Sequence, residues 1–266
     1  MRIGIAGCAG RMGRILMQTV LETPGASLAG GLERPGHPGV GADLGALAGV
    51  APTGIQITDD PVGLFGAARV VIDFTAPAAI FEHARLASEH GTALVVGTTG
   101  LGPDHRDALG QAAQSVPVVV AANMSVGVNL LLGLTRKVAA ILGADHDIEI
   151  LDMHHRHKVD APSGTALALG EAAAQGRGIT LDEAAVRVRD GHVGQRLKGT
   201  IGFATMRGGD VVGEHTVVFA GDGERVELVH RASSRAVFAK GAVRAALWCA
   251  ERPAGLYSMR DVLALE

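Results

Sequence analysis

In the first half of the chain, short apolar runs alternate with stretches in which apolar residues recur every three or four positions. The runs RIGIAG (2–7), SLAGGLE (27–33), RVVIDFT (69–75), TALVVGTT (92–99) and PVVVAAN (117–123) are nearly continuous and predict strands covered on both faces. Between them, 11–22, 77–90 and 103–115 predict helices. This rhythm predicts a right-handed, doubly wound parallel sheet. Residues 34–58 are rich in Gly and Pro, break the rhythm and are expected to form a long surface loop.

Near residue 126 the pattern changes. A helical stretch (127–143) leads into DIEILDMHH (147–155), a basic cluster and another helix (163–175). Three strand-like runs follow without helices between them: GTIGFATMR (199–207), VVGEHTVVFAG (211–221) and ERVELVHRA (224–232). Strands in succession predict an antiparallel or mixed sheet, hence a second, α+β domain beside the α/β one. Helices are expected again at 236–250 and 258–265.

Composition narrows the chemistry. With 24 Lys+Arg against 27 Asp+Glu and a net charge of −3, bulk nucleic-acid binding is not expected, so any anion site must be local. Aromatics make up only 3%, which disfavours a surface built on stacking. The two cysteines, Cys8 and Cys249, have no metal-ligand spacing and form no disulfide framework, as expected in a reducing cytosol. The N-terminus runs straight into a strand without signal-peptide anatomy, and no apolar run is read as long enough to span a bilayer. A cytoplasmic protein without a membrane partner is expected.

GIAGCAGRMGR places Gly7, Gly10 and Gly13 between a strand and a helix. The spacing is G-x-x-G-x-x-G rather than G-x-G-x-x-G, but the physics of a pyrophosphate-binding turn is the same. Glu33 closes the second predicted strand, 20 residues after Gly13, where an acidic group meets the adenosine ribose. Arg34 follows at once and is suited to a 2′-phosphate, which brings in NADPH beside NADH. A solvated loop charge is the plainer reading of Arg34. Gly97, Thr98 and Thr99 end one strand and Ala121 to Met124 end the next, where open α/β sheets bind ligands. Tight turns chosen for their geometry would read the same way.

The stretch HHRHKVDAPSGTA, from His154 to Ala166, packs three histidines, an arginine and a lysine into five positions ahead of a helix start. A solvated loop accounts for Arg156 and His157. A metal site from His154, His155 and His157 is disfavoured, because neighbours on an extended chain point to opposite faces. An anion and proton-transfer site fits better. Free N–H groups of Gly164 and Thr165 would take a carboxylate, His155 and Lys158 a second, and Lys158 or His154 would act as general acid. Lys158, crowded by cations, is expected to titrate more readily than usual. Ser163 is placed both as a substrate-side residue and as the N-cap. An amino-dicarboxylate dehydrogenase of the same plan and a non-enzymatic NAD(P)H sensor remain as alternatives.

Together AGCAGRMGR, VVGTTG, AANMSVGVN, HHRHKVDAPSGTA, GTIGFATMRGGDVVGEHTVVFAG and HRASSRAVFAKGAVRAALW make the chain resemble, over nearly its whole length, the 4-hydroxy-tetrahydrodipicolinate (dihydrodipicolinate) reductases of bacterial lysine synthesis. The resemblance implies a Rossmann-like dinucleotide-binding domain from 1–125 and 235–266, with 126–234 binding substrate and forming a homotetramer. It implies reduction of a small dicarboxylate by NADH, NADPH or both, through hydride transfer and protonation with loss of water. Gly7, Cys8, Ala9, Gly10, Arg11 and Met12 would hold the pyrophosphate, with Glu33 and Arg34 at the adenosine ribose. Gly97, Thr98, Thr99, Ala121, Ala122, Asn123 and Met124 would line the nicotinamide side. His154 and Lys158 would be the proton-transfer residues, and His155, Gly164 and Thr165 would bind the carboxylates. No metal is implied. Cys8 stands where a smaller residue is common, and Met124 where an aromatic is.

Overall fold

The computed structural model describes residues 1–265; Glu266, the last residue of the expected segment 235–266, lies outside the described residues. The apolar runs of the first half become the parallel strands β1 (Arg2–Ala6), β2 (Ser27–Leu32), β4 (Val70–Asp73), β5 (Ala93–Val96) and β6 (Pro117–Val120), joined by a short strand outside those runs, β3 (Ile57–Thr58). The intervening helices are α1 (Arg11–Glu22), α2 (Leu44–Ala48), α3 (Pro61–Ala67), α4 (Pro77–His90) and α5 (Pro103–Ala112).

Strand alternation divides the core of this unit into two layers. Ile3 and Ile5 of β1, Ile72 of β4 and Val95 of β5 pack with α1 residues such as Leu16 and Met17. Ala6, Val71 and Leu94 point the other way, onto Leu64 and Phe65 of α3 and Ala84 of α4. Full burial of a side chain such as Ile5 stabilises the fold by roughly 1.5–3 kcal/mol.

Two expectations for this part are corrected. Residues 34–58 are not one surface loop: they contain α2 and β3, with Leu44 and Ile57 buried. The cause is Asp43, whose carboxylate caps α2 through Gly45 N–H (2.7 Å) and Ala46 N–H (3.2 Å) and also accepts from Thr53 and Gly54 N–H. These backbone hydrogen bonds, led by Thr53, outweigh the small cost of desolvation and hold Asp43 below the usual carboxylate range. The sheet also gains a strand that was not anticipated, Gly255–Tyr257, parallel to β6.

The second unit, Gly127–Ser234, opens with α6 (Val126–Leu142). Its strands are β7 (Asp147–His154), β8 (Ala185–Val186), β9 (Ile201–Arg207), β10 (Gly213–Gly221) and β11 (Glu224–Ala232), with helices α7 (Gly164–Arg177) and α8 (Leu181–Ala184). The sheet order is β11-β10-β7-β9-β8; β10 pairs antiparallel with β7 and β11, whereas β7, β8 and β9 run parallel, so the sheet is mixed. Ile148, Ile150, Val217 and Phe219 fill its inner face against Leu169 and Ala173 of α7.

The segment Val126–Asp145 is long and apolar enough to cross a membrane by length and composition, which corrects the reading that no run was. Its buried residues Val128, Leu131, Thr135 and Ala139 recur at helical spacing, the signature of one face packed on a core. Leu131 and Ala139 lie in the core of the second unit.

The chain then returns to the first unit as α9 (Ala236–Cys249), β12 (Gly255–Tyr257) and α10 (Met259–Val262). Ala242 and Ala246 of α9 complete the layer that holds α1. The full order of the parallel sheet is β12-β6-β5-β4-β1-β2-β3. Chain direction reverses its lateral course between β1 and β4, the switch point where such sheets bind ligands.

Candidate active site

The turn after β1 is shaped by its glycines. Gly7 has φ +79°, and a Cβ there would sit 2.7 Å from Phe74 O. At Gly13 a Cβ would come within 2.2 Å of Gly7 O, so only glycine lets α1 close onto the turn. Gly7 and Cys8 N–H both donate to Leu32 O, tying the turn to the end of β2. No side chain caps α1 at Gly10, so its first N–H groups and positive dipole end suit a pyrophosphate.

The expected cofactor residues divide between two cavities of this unit. One, of about 530 Å³, is lined by Gly7, Gly10, Glu33 and Arg34, together with Asp59 and His83. The other, of about 460 Å³, is lined by Arg11, Met12 and Thr99 and by Ala122, Asn123 and Met124. Gly97 and Thr98 border it too. Ala121 instead lines a neighbouring cavity that shares Thr98 and Thr99. Ala9 N–H donates to Glu33 Oε1 at 2.7 Å, which fixes the carboxylate against the turn. Cys8 does not face either cavity: its thiol is fully buried, and burial, then the Glu33 charge, pushes its pKa up to about 12.

Sequence reading missed the group that holds this edge together. Asp73, at the end of β4, is fully buried. It accepts from Thr75 Oγ1 (2.6 Å), Thr75 N–H (2.9 Å) and Thr98 Oγ1 (2.9 Å), and pairs with His83 Nδ1 at 2.5 Å. Burial opposes its charge, but His83 and Thr75 outweigh that and keep the carboxyl below its usual range. Two cavity-lining loops, after β4 and after β5, are thus fixed by one carboxylate. Arg235 and Phe238, which also line the second cavity, were missed as well; they come from the distant α9 region, and no local spacing marks them.

In the second unit the basic stretch leaves the end of β7. His155 N–H donates to Val211 O and Arg156 N–H to Gly209 O, so the loop is pinned on the turn before β10. Arg156 and His157 are exposed, as the solvated-loop reading expects, whereas His154, His155 and Lys158 are half-buried. Lys158 Nζ lies 2.7 Å from Asp160 Oδ1, so a carboxylate answers the cationic crowding expected there. Ser163 caps α7, accepting from Ala166 N–H at 3.2 Å. Gly164 and Thr165 form its first turn.

Asp152, a residue not singled out beforehand, organises this region. Its Oδ1 is 2.7 Å from His154 Nδ1 and 3.5 Å from His215 Nε2. Its Oδ2 accepts from Ser163 N–H at 2.9 Å and from Arg207 Nη2 at 3.2 Å. Burial opposes the charge of Asp152, yet His154, His215 and Ser163 outweigh it and hold the carboxyl far below the ordinary range. The alternation of β7 places Asp152 and His154 on one face, a signal present in the sequence. His215 arrives only through the antiparallel register that sets it opposite Asp152. These three side chains, not His154, His155 and His157, are the ones whose candidate ligand atoms converge, within 4.8 Å of one another. At 2.7 Å His154 Nδ1 and Asp152 Oδ1 stand closer together than the ligands of a tetrahedral zinc, which at about 2.0–2.1 Å from the metal lie about 3.3 Å apart.

A doubly wound sheet, a glycine turn opening an uncapped helix and a carboxylate ending the second strand define an NAD(P)-dependent oxidoreductase. The family is shown by comparison. Models described as dihydrodipicolinate reductase N-terminus and C-terminus match residues 1–124 and 127–263. The 4-hydroxy-tetrahydrodipicolinate reductase of Dinoroseobacter shibae is 54% identical over 99% of this chain and 98% of its own. That of Sinorhizobium medicae is 55% identical over 100% and 98%. A dipicolinate-bound dihydrodipicolinate reductase from Paenisporosarcina sp. TG-14 superposes with a TM-score of 0.74, at 25% identity over 97% of each chain. The chain belongs to the dihydrodipicolinate reductase family. Its reaction is the NAD(P)H-dependent reduction of 4-hydroxy-tetrahydrodipicolinate in diaminopimelate and lysine synthesis. A diaminopimelate dehydrogenase of C. glutamicum, at 13% identity and a TM-score of 0.57, shares the fold alone.

Proposed function

We propose that this reaction is carried by His154 and Lys158 as the proton-transfer residues, with His155, Ser163, Gly164 and Thr165 holding the substrate's carboxylates. The observation that carries the reading is the buried Asp152 carboxylate, which grips His154 Nδ1 with one oxygen and the N–H that opens α7 with the other. A proton-transfer side chain and an anion-binding helix start thereby share one support. Ser163 contributes as cap, its hydroxyl engaged by Ala166 N–H and His215 Nε2, and the N–H groups of Gly164 and Thr165 are the carboxylate ligands.

Bound between the glycine turn and the strand ends, the reduced nicotinamide supplies the hydride. Gly7 to Met12, with Cys8 contributing backbone only, would hold its pyrophosphate, Glu33 and Arg34 would meet the adenosine ribose, and Gly97 to Thr99 with Ala121 to Met124 would border the nicotinamide. The substrate loses its 4-hydroxyl as water. Hydride adds to one carbon of the resulting conjugated system, and Lys158 or His154 supplies the balancing proton.

The chain assembles as a homotetramer in the cytoplasm. Support for assembly comes from the outer face of the second sheet, where Met206 (46% exposed) and Val229 (40% exposed) present apolar surface. Sedimentation of the purified protein at four chain masses is the expected result; a monomer would remove this part of the reading.

The deciding experiment follows absorbance of NADH and NADPH in separate cuvettes, with substrate made in place from pyruvate and aspartate semialdehyde by the preceding synthase. Rapid oxidation that needs both proteins is expected. In the same assay, variants of Lys158 and His154 that keep wild-type kcat would overturn the residue roles.

A further inference from the structure

Asp152 is a buried carboxylate whose two oxygens serve two different parts of the candidate site. We propose that Asp152 is a positioning residue: it aims His154 by taking the proton on Nδ1, which leaves Nε2 for the substrate, and it aims the N–H groups of α7 by anchoring Ser163. The proposal rests on the reading of His154 as a proton-transfer residue.

The donors divide cleanly between the oxygens. Oδ2 receives Ser163 N–H and Arg207 Nη2, and Arg207 also donates to Asp160 O at 2.7 Å, so the same oxygen braces the loop that carries Lys158. Oδ1 is left to the two imidazoles, His154 at 2.7 Å and His215 at 3.5 Å. A carboxylate is acceptor-only, so a proton on the His154 nitrogen facing it is the favoured arrangement; the two atoms are in ion-pair contact at 2.7 Å, and neither makes a hydrogen bond elsewhere among the described residues. The rings of His154 and His215 meet edge to face, with centroids 5.2 Å apart. Ser163 Oγ, 3.2 Å from His215 Nε2, closes the circuit between helix and sheet.

This arrangement makes the amide variant informative. In Asp152→Asn the side-chain oxygen stays with its two donors, Ser163 N–H and Arg207, and the NH₂ group is turned toward His154. An NH₂ cannot accept a proton from Nδ1–H, so His154 should shift to the Nε2–H tautomer and present the wrong nitrogen. Charged and titratable neighbours are the same in both proteins: Arg207 on β9, His215 on β10 and His230, which sits opposite His215 on β11.

The experiment combines steady-state kinetics across pH with ¹⁵N–¹H spectra of histidine side chains, His154 being assigned with His154→Gln. In the wild-type protein neutral His154 is expected as the Nδ1–H tautomer; an Nε2–H form there would overturn the proposal without any variant at Asp152. Asp152→Asn is expected to lower kcat about 10²-fold, the scale of losing one positioned proton-transfer group, and to raise substrate KM while cofactor KM stays unchanged. Asp152→Glu, which keeps a carboxylate, should recover part of kcat and the Nδ1–H signal. Wild-type kcat and an unmoved tautomer in Asp152→Asn would sink the idea. Full turnover by His154→Gln would instead remove the parent reading and the proton-transfer half of the proposal, leaving the α7 half to stand or fall on the substrate KM of Asp152→Asn.

Discussion

Each compact unit buries an aspartate against a histidine, Asp73 with His83 in the first and Asp152 with His154 in the second. Both carboxylates accept a backbone N–H, from Thr75 and Ser163, at 2.9 Å. Their remaining partners differ. Asp73 is surrounded by the hydroxyls of Thr75 and Thr98, with His83 buried beside Phe65 on α4. Asp152 is surrounded by groups that carry or can take positive charge: His154, His215 and Arg207. A carboxylate held by hydroxyls and one histidine fixes the loops after β4 and β5. A carboxylate balanced by three such groups holds them in place beside a dianionic substrate. Under the proposed roles, the same pair of residue types is scaffolding in one unit and support for a proton-transfer residue in the other.

The largest effect that would sharpen this contrast is on turnover. Lys158→Ala is expected to lower kcat by about 10²- to 10⁴-fold with little change in cofactor KM. Equal losses in kcat and cofactor affinity would place Lys158 outside the chemistry.

Asp73→Asn should show the opposite profile. Removing one charge of a buried pair is expected to cost about 3 kcal/mol in denaturant unfolding and to raise KM for both cofactors, with kcat at saturation largely kept. Because its folded pKa is depressed, Asp73 stabilises the protein fully above the unfolded value of about 3.9 and loses that contribution as pH falls toward the folded value. Acid unfolding of Asp73→Asn should accordingly be less steep than that of the wild type. If it is equally steep, another carboxylate dominates the acid limb.

Smaller effects belong to the cavity rim. Arg34 is exposed, so Arg34→Ala should raise KM for NADPH by only about tenfold or less and leave that for NADH unchanged. A parallel change with both cofactors would mean that Arg34 does not read the 2′-phosphate. Smallest of all, Asp43→Ala should speed amide exchange at Gly45, Thr53 and Gly54 without altering kcat; unchanged exchange there would mean that the 34–58 segment is held by other contacts.

How far such features could be read from the sequence depends on the range of the interactions behind them. The buried parallel strands announce themselves because two-sided burial demands continuous apolar runs. The candidate cofactor residues from Gly7 to Met12 and Gly97 to Thr99 follow from local turn chemistry. The structure inside 34–58 did not, because it is organised by one side chain, Asp43, acting on backbone up to 11 residues away. Strand β12 was missed because three residues carry no period. Asp152 and His154 share a face by simple alternation, a weaker signal than the contiguous histidines beside them.

By itself the sequence determined the two fold classes, the glycine turn, the basic stretch from His154 to Lys158 ahead of the helix start at Ser163 and, through whole-chain resemblance, the family. Tertiary structure alone decided that His215 faces Asp152, that Arg207 braces Asp160, that Asp73 joins the loops after β4 and β5, and that Arg235 and Phe238 border the second cavity. The physical reason is that local conformation is set by interactions among near neighbours in the chain. A buried charge, by contrast, is tolerated only where strand register and helix packing bring enough distant donors to it.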